Sequence, residues 1–294
     1  MAEAATAERA AKTETGAGRI AFQGELGAYS HQACREVYPD MDPLPCASFE
    51  EAVAAVKRGD AGLAMLPVEN TTYGRVADIH SLLPESGLYI IAEHFVPVRI
   101  QLLAPRGAKL EEVREAHSHT VLLGQCRRFL KAHGVKPVTA ADTAGAAKAI
   151  ATSGAPGAAA LASTLAGEIY GLEALAEDVQ DNDHNTTRFL VMSPRKIEAD
   201  PNGGPSMTSF VFQVRNVPAA LYKAMGGFAT NGVNMVKLES YMVDGSFTAT
   251  QFYADVEGHI EHDNVRLAME ELGFFTSMLK VLGVYPRSAA RDGR

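Results

Sequence analysis

The run Asn185-Thr186-Thr187-Arg188-Phe189 puts an amide, two hydroxyls and a guanidinium in immediate succession, just ahead of the apolar stretch Leu190-Val191-Met192. Asp181-Asn182-Asp183-His184 leads in, so the polar set stands at the mouth of a predicted strand, the edge where open α/β sheets place their ligands. In a chain that is acidic overall, a cation so placed is a local positive group that an anionic ligand could use. The plainer reading is a solvated turn before a buried strand, because Thr and Asn are ordinary turn residues.

Three other stretches could face this one. Gly62-Leu63-Ala64-Met65-Leu66 reads as a buried strand running into Pro67-Val68-Glu69-Asn70-Thr71-Thr72-Tyr73-Gly74, which sets a carboxylate, an amide and two hydroxyls at a strand end. Gly24-Glu25-Leu26-Gly27-Ala28-Tyr29-Ser30 is a glycine turn between a short strand and a helix, and a helix N-terminus with unpaired N–H groups can seat an anion. It lacks the third glycine and the distant acid of a dinucleotide fingerprint. Gln125-Cys126 sits in a predicted helix from about 121 to 132 and adds a neutral amide. Metal chemistry is not expected. His117 and His119 share one strand face without a third ligand, and Asp181, Asp183 and His184 lack both an EF-hand glycine and a second carboxylate cluster. Cys34, Cys46 and Cys126 are too few and too scattered for a disulfide framework and read as small buried residues.

Strands alternating with helices carry these stretches. Predicted strands fall at 19–24, 43–47, 62–66, 88–92, 96–104, 116–120, 136–140 and 158–161, with helices between them, which implies parallel sheets covered by helices on their faces. Ser48 with Glu51 reads as a capping box, and Asp142 as the cap of the helix that follows. Pro97 marks the expected crossover between two lobes. Residues 194–207, with three prolines and two adjacent glycines, form the clearest linker. Beyond it a βαββαβ order spans 208–286, with Pro218 at a helix start and Asp244-Gly245 as a hairpin turn, the pattern of a ferredoxin-like unit.

Length and charge bound the rest. A chain of 294 residues with 47 % hydrophobic residues suffices for two cored domains, and a net charge of −8 argues against general nucleic-acid binding. No apolar span is long enough for a transmembrane helix. Residues 1–18, rich in Ala, Glu and Thr without an apolar core, read as a disordered tail rather than a signal peptide, so a cytoplasmic location is expected.

Taken in order, the glycine turn, Pro67 to Gly74, Gln125-Cys126, Asp142-Thr143-Ala144-Gly145-Ala146-Ala147, Tyr170-Gly171-Leu172 and Asn185 to Phe189 make the chain resemble prephenate dehydratases with a C-terminal ACT regulatory domain. The resemblance covers about residues 19–286. It implies an α/β catalytic domain at 19–193, two-lobed like a type II periplasmic binding protein, with lobe one at about 19–97 and 178–193 and lobe two at about 98–177. A linker at 194–207, the ACT domain at 208–286 and a tail at 287–294 complete the expected plan. The implied reaction is decarboxylating dehydration of prephenate to phenylpyruvate, a step toward phenylalanine, with no cofactor.

In this scheme Thr187, Arg188, Asn70 and Gln125 match the catalytic positions, with Thr187 assisting the leaving hydroxyl and Arg188 either neutralising a carboxylate or holding the strand end. Gly27, Ala28, Tyr29, Ser30, Glu69, Thr71, Thr72 and Asn185 match substrate-binding positions, Glu69 as an orienting group. Pro218, Ala219, Ala220, Leu221, Asn234, Glu239 and Ser240 correspond to the site for L-phenylalanine, the implied effector, and a homodimer or homotetramer through the ACT domain is expected. The chain departs from the family pattern at Ser118-His119-Thr120-Val121, at Ala219 where relatives carry glycine, and at Tyr241-Met242 after Glu239-Ser240. Two alternatives stay open: arogenate dehydratase, and a non-catalytic amino-acid sensor.

Overall fold

Ile20, Ala21 and Phe22 are all fully buried, because both faces of their sheet are covered; a strand so placed reads as an unbroken apolar run instead of an alternation. The computed structural model describes residues 18–242 and 249–292, so the expected Asp244-Gly245 hairpin and nearly all of the N-terminal tail lie outside the described residues. The chain begins β1 (Arg19–Gln23), α1 (Tyr29–Val37), β2 (Asp42–Cys46), α2 (Phe49–Arg58), β3 (Leu63–Asn70), β4 (Gly74–Arg75), α3 (Ala77–Glu85) and β5 (Tyr89–Pro97). It continues β6 (Gln101–Ala104), β7 (Glu115–Ser118), α4 (Thr120–Gln125), α5 (Arg127–His133), β8 (Lys136–Thr139), α6 (Thr143–Ser153), β9 (Ala158–Ala162), α7 (Thr164–Tyr170), β10 (Glu173–Ala176) and β11 (Thr186–Ser193). The remainder is β12 (Ser206–Val214), α8 (Ala220–Thr230), β13 (Met235–Met242), β14 (Ala249–Glu257), α9 (Asp263–Phe275) and β15 (Thr276–Pro286).

Three sheets result. The first runs β2-β1-β3-β11-β5 with β4 beside β3, the second β10-β6-β9-β7-β8, and the third β13-β14-β12-β15. The expectation of wholly parallel sheets fails in the first two. β11 enters the first sheet after the chain has built the second, and it runs antiparallel to both β3 and β5. In the second sheet β6 pairs antiparallel with β9 and with β10. The third sheet is antiparallel throughout, with two helices on one face, as the ferredoxin-like pattern requires.

Other boundaries moved for local reasons. Tyr89 to Pro97 is one edge strand rather than a strand that ends at Ala92, and the chain crosses to the second sheet at 98–100, directly after Pro97 as expected. The helix expected over 121–132 is split at Cys126, where the Asp181 amide takes the Gln125 carbonyl at 2.5 Å and interrupts the helical ladder. Strand β3 runs on through Pro67 to Asn70, which brings Glu69 and Asn70 into the ladder beside β11. Ser48 caps α2 by accepting from the Glu51 amide, but the Glu51 carboxylate reaches Arg58, so the capping box is half made. The proline-rich connection is tied down: the Ala199 amide donates to Val284, and His259 and His262 hold the Ala199 and Pro201 carbonyls.

The third sheet is docked on the first through a shared core. Leu66, Ile90, Leu190 and Met192 of the first sheet pack in one cluster with Met207, Val211, Tyr253, Leu282 and Tyr285 of the third. At its centre β15 passes β5 so closely that a Cβ on Gly283 would overlap the Ile90 carbonyl. The position requires a residue without a side chain. Gly283→Ala is therefore expected to push β15 off β5 and lower the melting temperature by several degrees, read by calorimetry on the full chain; an unchanged transition would show that the contact can yield.

Candidate active site

Asn70 ends β3 next to Thr187 of β11, and its carboxamide is fully used. Oδ1 accepts from the Thr72 amide at 2.9 Å and the Tyr73 amide at 3.0 Å. Nδ2 donates to Asn185 Oδ1 at 2.8 Å and to Thr187 Oγ1 at 3.0 Å. A hydroxyl has one proton, so a Thr187 oxygen that accepts from Asn70 keeps that proton for another acceptor. Thr187 lines a cleft of about 450 Å³ between the first two sheets, shared with Ala28, Tyr29, Ser30, Asn70, Gln125 and Phe189. Gln125 reaches the cleft because the break at Cys126 ends α4 there, and its Oε1 is buried without a partner among the described residues. That orphaned acceptor can take a hydrogen-bond donor from a ligand.

The two sides of the cleft are clamped. Ser163 Oγ donates to the Gly27 carbonyl at 2.5 Å, Tyr170 to the Leu26 carbonyl at 2.7 Å, Tyr29 to the Arg99 carbonyl at 2.8 Å and Tyr73 to the Val121 carbonyl at 3.0 Å. Gly27 has φ +93°, and a Cβ there would stand 2.8 Å from the Ala166 Cα, so the approach of the glycine turn to α7 demands glycine. The anion seat expected at 27–30 is narrower than the sequence suggested. The Gly27 amide is spent on His31 Nδ1 at 2.9 Å and the Ala28 amide on the Glu25 carbonyl at 3.1 Å, which leaves the first turn of α1 at Tyr29 and Ser30. Burial, with Arg35 nearby, lowers the His31 pKa and so keeps that ring neutral, as its acceptor role requires.

Arg188 does not face the cleft. Successive strand residues point to opposite sides, so a Thr187 in the cleft sends Arg188 to the back, toward the third sheet. There it is 2 % exposed and meets Asp255 at 2.6 Å, Glu69 and Glu93 at 2.8 Å each, and the Tyr285 hydroxyl at 2.8 Å. The expected role in neutralising a substrate carboxylate is corrected accordingly: the guanidinium is committed to the protein's own acids. Lys237 reaches Glu69 at 2.6 Å and Arg291 reaches Glu93 at 2.7 Å, so three carboxylates stand against three cations. Burial works to raise the Asp255 and Glu69 carboxyls, but Arg188, aided by Ser209 at Asp255 and by Lys237 at Glu69, outweighs it and holds both below their usual range.

The remaining expected residues divide between front and back. Asn185 is buried beneath the cleft as the partner of Asn70, with its Nδ2 unpaired among the described residues. Thr71 stitches the two loops, donating to the His184 carbonyl at 2.6 Å and accepting from the Thr186 amide at 2.9 Å. Thr72 borders an adjoining recess with Arg127 and Asp181. Glu69 belongs to the back cluster. His119 caps α4 through Nδ1 and His117 pairs with Glu115 at 3.5 Å; among the described residues no group of three or more His, Cys, Asp or Glu is placed to hold a metal. In the third sheet Asn234 donates to Glu257, Glu239 meets Lys237, and Ala219 takes a left-handed φ of +62° ahead of α8. That conformation is one glycine adopts freely, so Ala219 is a strained residue at this position.

Sequence reading missed Glu93, Asp255, Lys237, Tyr285 and Arg291. A signal existed in Asp255, an acid set within Phe252-Tyr253-Ala254-Asp255-Val256, where the unbroken apolar run predicts a strand buried on both faces and hence a paired charge.

Comparison with known proteins points to one family. A family model described as prephenate dehydratase matches residues 20–197. A bifunctional N-acyl-homoserine lactone acylase/prephenate dehydratase of Komagataeibacter europaeus is 50 % identical over 92 % of this chain and 97 % of its own. Arogenate dehydratase/prephenate dehydratase 1 of Arabidopsis thaliana is 36 % identical over 93 % of this chain and 73 % of its own. Among solved structures, a prephenate dehydratase in complex with L-Phe from Arthrobacter aurescens superposes with a TM-score of 0.82 at 29 % identity, covering 92 % of this chain and 90 % of that one.

Because removing one partner strands buried charge, Arg188→Met is expected to cost roughly 3–5 kcal/mol, measured by urea unfolding. The depressed Asp255 and Glu69 pKa values carry a pH signature: their stabilisation is complete above about pH 5 and is lost as pH falls through the lowered folded values, and Asp255→Asn should shed part of that acid-dependent loss.

Proposed function

This chain belongs to the prephenate dehydratase family, and from that premise we propose that its cleft converts prephenate to phenylpyruvate, carbon dioxide and water. One observation carries the reading: Asn70 donates into Thr187 Oγ1 and so leaves the Thr187 proton free for a departing oxygen. The ring carboxylate leaves as carbon dioxide, its bonding electrons move into the ring, and the C4–O bond breaks as the ring becomes aromatic. Thr187 donates to that oxygen as hydroxide departs, and water forms when a proton follows. Aromatisation supplies the driving force, so the protein need only orient the substrate and stabilise the leaving group. The Gln125 Oε1, buried and unpaired, is suited to accept from the C4 hydroxyl before reaction.

The relative that is 50 % identical also bears an acylase in its name. Acyl hydrolysis by a serine or cysteine calls for a nucleophile activated by a base. Among the described residues no serine or cysteine of the cleft is hydrogen-bonded to a histidine, and burial pushes the Cys126 thiol up to about 12. These features favour the lyase. Arogenate, the transaminated analogue, would undergo the same elimination, and assays with both substrates separate the two.

The ferredoxin-like unit is assigned, on the same footing, as an ACT regulatory domain that binds L-phenylalanine through 218–221, Asn234 and Glu239-Ser240, and joins copies of the chain as a dimer or tetramer. That the Arthrobacter aurescens relative was solved in complex with L-Phe supports L-phenylalanine as a ligand, while the residues and the assembly rest on the sequence resemblance.

The test is to incubate the protein with prephenate, with and without phenylalanine, and follow phenylpyruvate in alkali. Thr187→Ala should lower kcat by about 10²–10⁴-fold with an unchanged circular dichroism spectrum, while Thr187→Ser keeps most of the activity. A Thr187→Ala enzyme with full kcat would overturn the assignment.

A further inference from the structure

A substrate with two carboxylates needs a cation, and the displacement of Arg188 to the back of β11 leaves the cleft without the one its motif promised. Among the residues lining the cleft a single Lys or Arg remains, Arg75 of β4. Strand β4 is two residues long and folds back on the end of β3, pairing Glu69 with Arg75 and Asn70 with Gly74. Arg75 is thus a short hairpin away from the amide that orients Thr187, on the hairpin face it shares with Glu69, and it borders the cleft at the end next to the third sheet.

Its guanidinium is half used. Nη1 donates to the Ser240 carbonyl of β13 at 2.6 Å and stands 3.7 Å from the Glu239 carboxylate. Nε and Nη2 have no partner among the described residues, and the side chain is 41 % exposed. Its neighbours are not free to substitute for it. Lys237, on the same strand as Glu239, is occupied by Glu69 and Glu239, and the single carboxylate of the cleft, Asp142, is spent capping α6 at 2.6 Å from the Gly145 amide. A guanidinium pinned at one nitrogen and open at two can still grip a carboxylate.

Resting on the lyase reading above, we propose that Arg75 binds a carboxylate of the substrate and that β13 sets its reach through Ser240 and Glu239. A single side chain then joins the reaction cleft to the ferredoxin-like unit, and whatever shifts β13 alters substrate affinity directly.

Full-length protein assayed with prephenate tests this. Arg75→Met should raise KM about tenfold or more while kcat stays within about threefold, and Arg75→Lys should recover part of the affinity; a structural role alone would not give that split or that rescue. Glu239→Gln should shift KM in the wild-type background and leave it unmoved in Arg75→Met, a coupling read from the double-mutant cycle. An unchanged KM in Arg75→Met overturns the proposal, and a raised KM in Arg127→Met in its place moves the anchor to the neighbouring recess. Equal Glu239→Gln effects in both backgrounds overturn the role of β13. Should the wild type give no phenylpyruvate, the lyase reading fails by itself. Calorimetric titration of prephenate into wild type and Arg75→Met then decides on Arg75: weaker binding to the variant upholds it, while equal binding, or none to either, overturns it.

Discussion

Arg188 carries a charge with almost no access to water, and the cost of that burial is met only because Asp255, Glu93 and Glu69 converge on it from three strands. Those strands belong to different sheets: β3 and β5 lie in the first, β14 in the third. The guanidinium therefore does more than neutralise a neighbour. It can be satisfied only when the third sheet is seated, so the charge makes docking of that unit part of folding the first. The shared apolar cluster around Leu66, Leu190, Tyr253 and Tyr285 supplies the area, and the ion cluster supplies the register.

Strand β11 serves two purposes because of its pleat. Thr187 and Phe189 face the cleft, while Arg188 and Leu190 face the docked sheet. The backbone that places the Thr187 hydroxyl in the cleft is the same backbone that the ion cluster grips, one residue on. A displacement of the third sheet would be felt at Thr187 through a single peptide unit. Antiparallel pairing of β11 between β3 and β5 confines it further, and the Thr71 bridge to His184 and Thr186 fixes the loop that feeds into it.

Much of this was legible in the chain. The fold class, the βαββαβ unit, the family and the meeting of the Pro67–Gly74 and Asn185–Phe189 stretches with Gln125 follow from strand-end chemistry and motif order; the hydrogen bond from Asn70 to Thr187 does not. The failures share a cause. Arg188 was read by its neighbours in sequence, whereas its partners Glu93 and Asp255 lie 95 and 67 residues away. A buried charge is interpretable only with its counter-charges, and those are set by tertiary packing. The split at Cys126 has the same origin, since it depends on an amide at Asp181 that no local pattern announces. Pro97 marked the crossover correctly, but the extents of the flanking strands were misread because a proline that ends an edge strand and one inside the next strand look alike in one dimension.

The four contacts of the Asn70 carboxamide have a further consequence. With its oxygen claimed by the Thr72 and Tyr73 amides, the side chain cannot rotate end for end, so its nitrogen must point at Thr187. Aspartate has almost the same shape and could keep both backbone contacts. It would then present a lone pair where the hydroxyl needs a donor, and the Thr187 proton would turn inward to meet it. Which way the Thr187 proton points is set by the polarity of one neighbouring atom, a distinction that neither volume nor shape records.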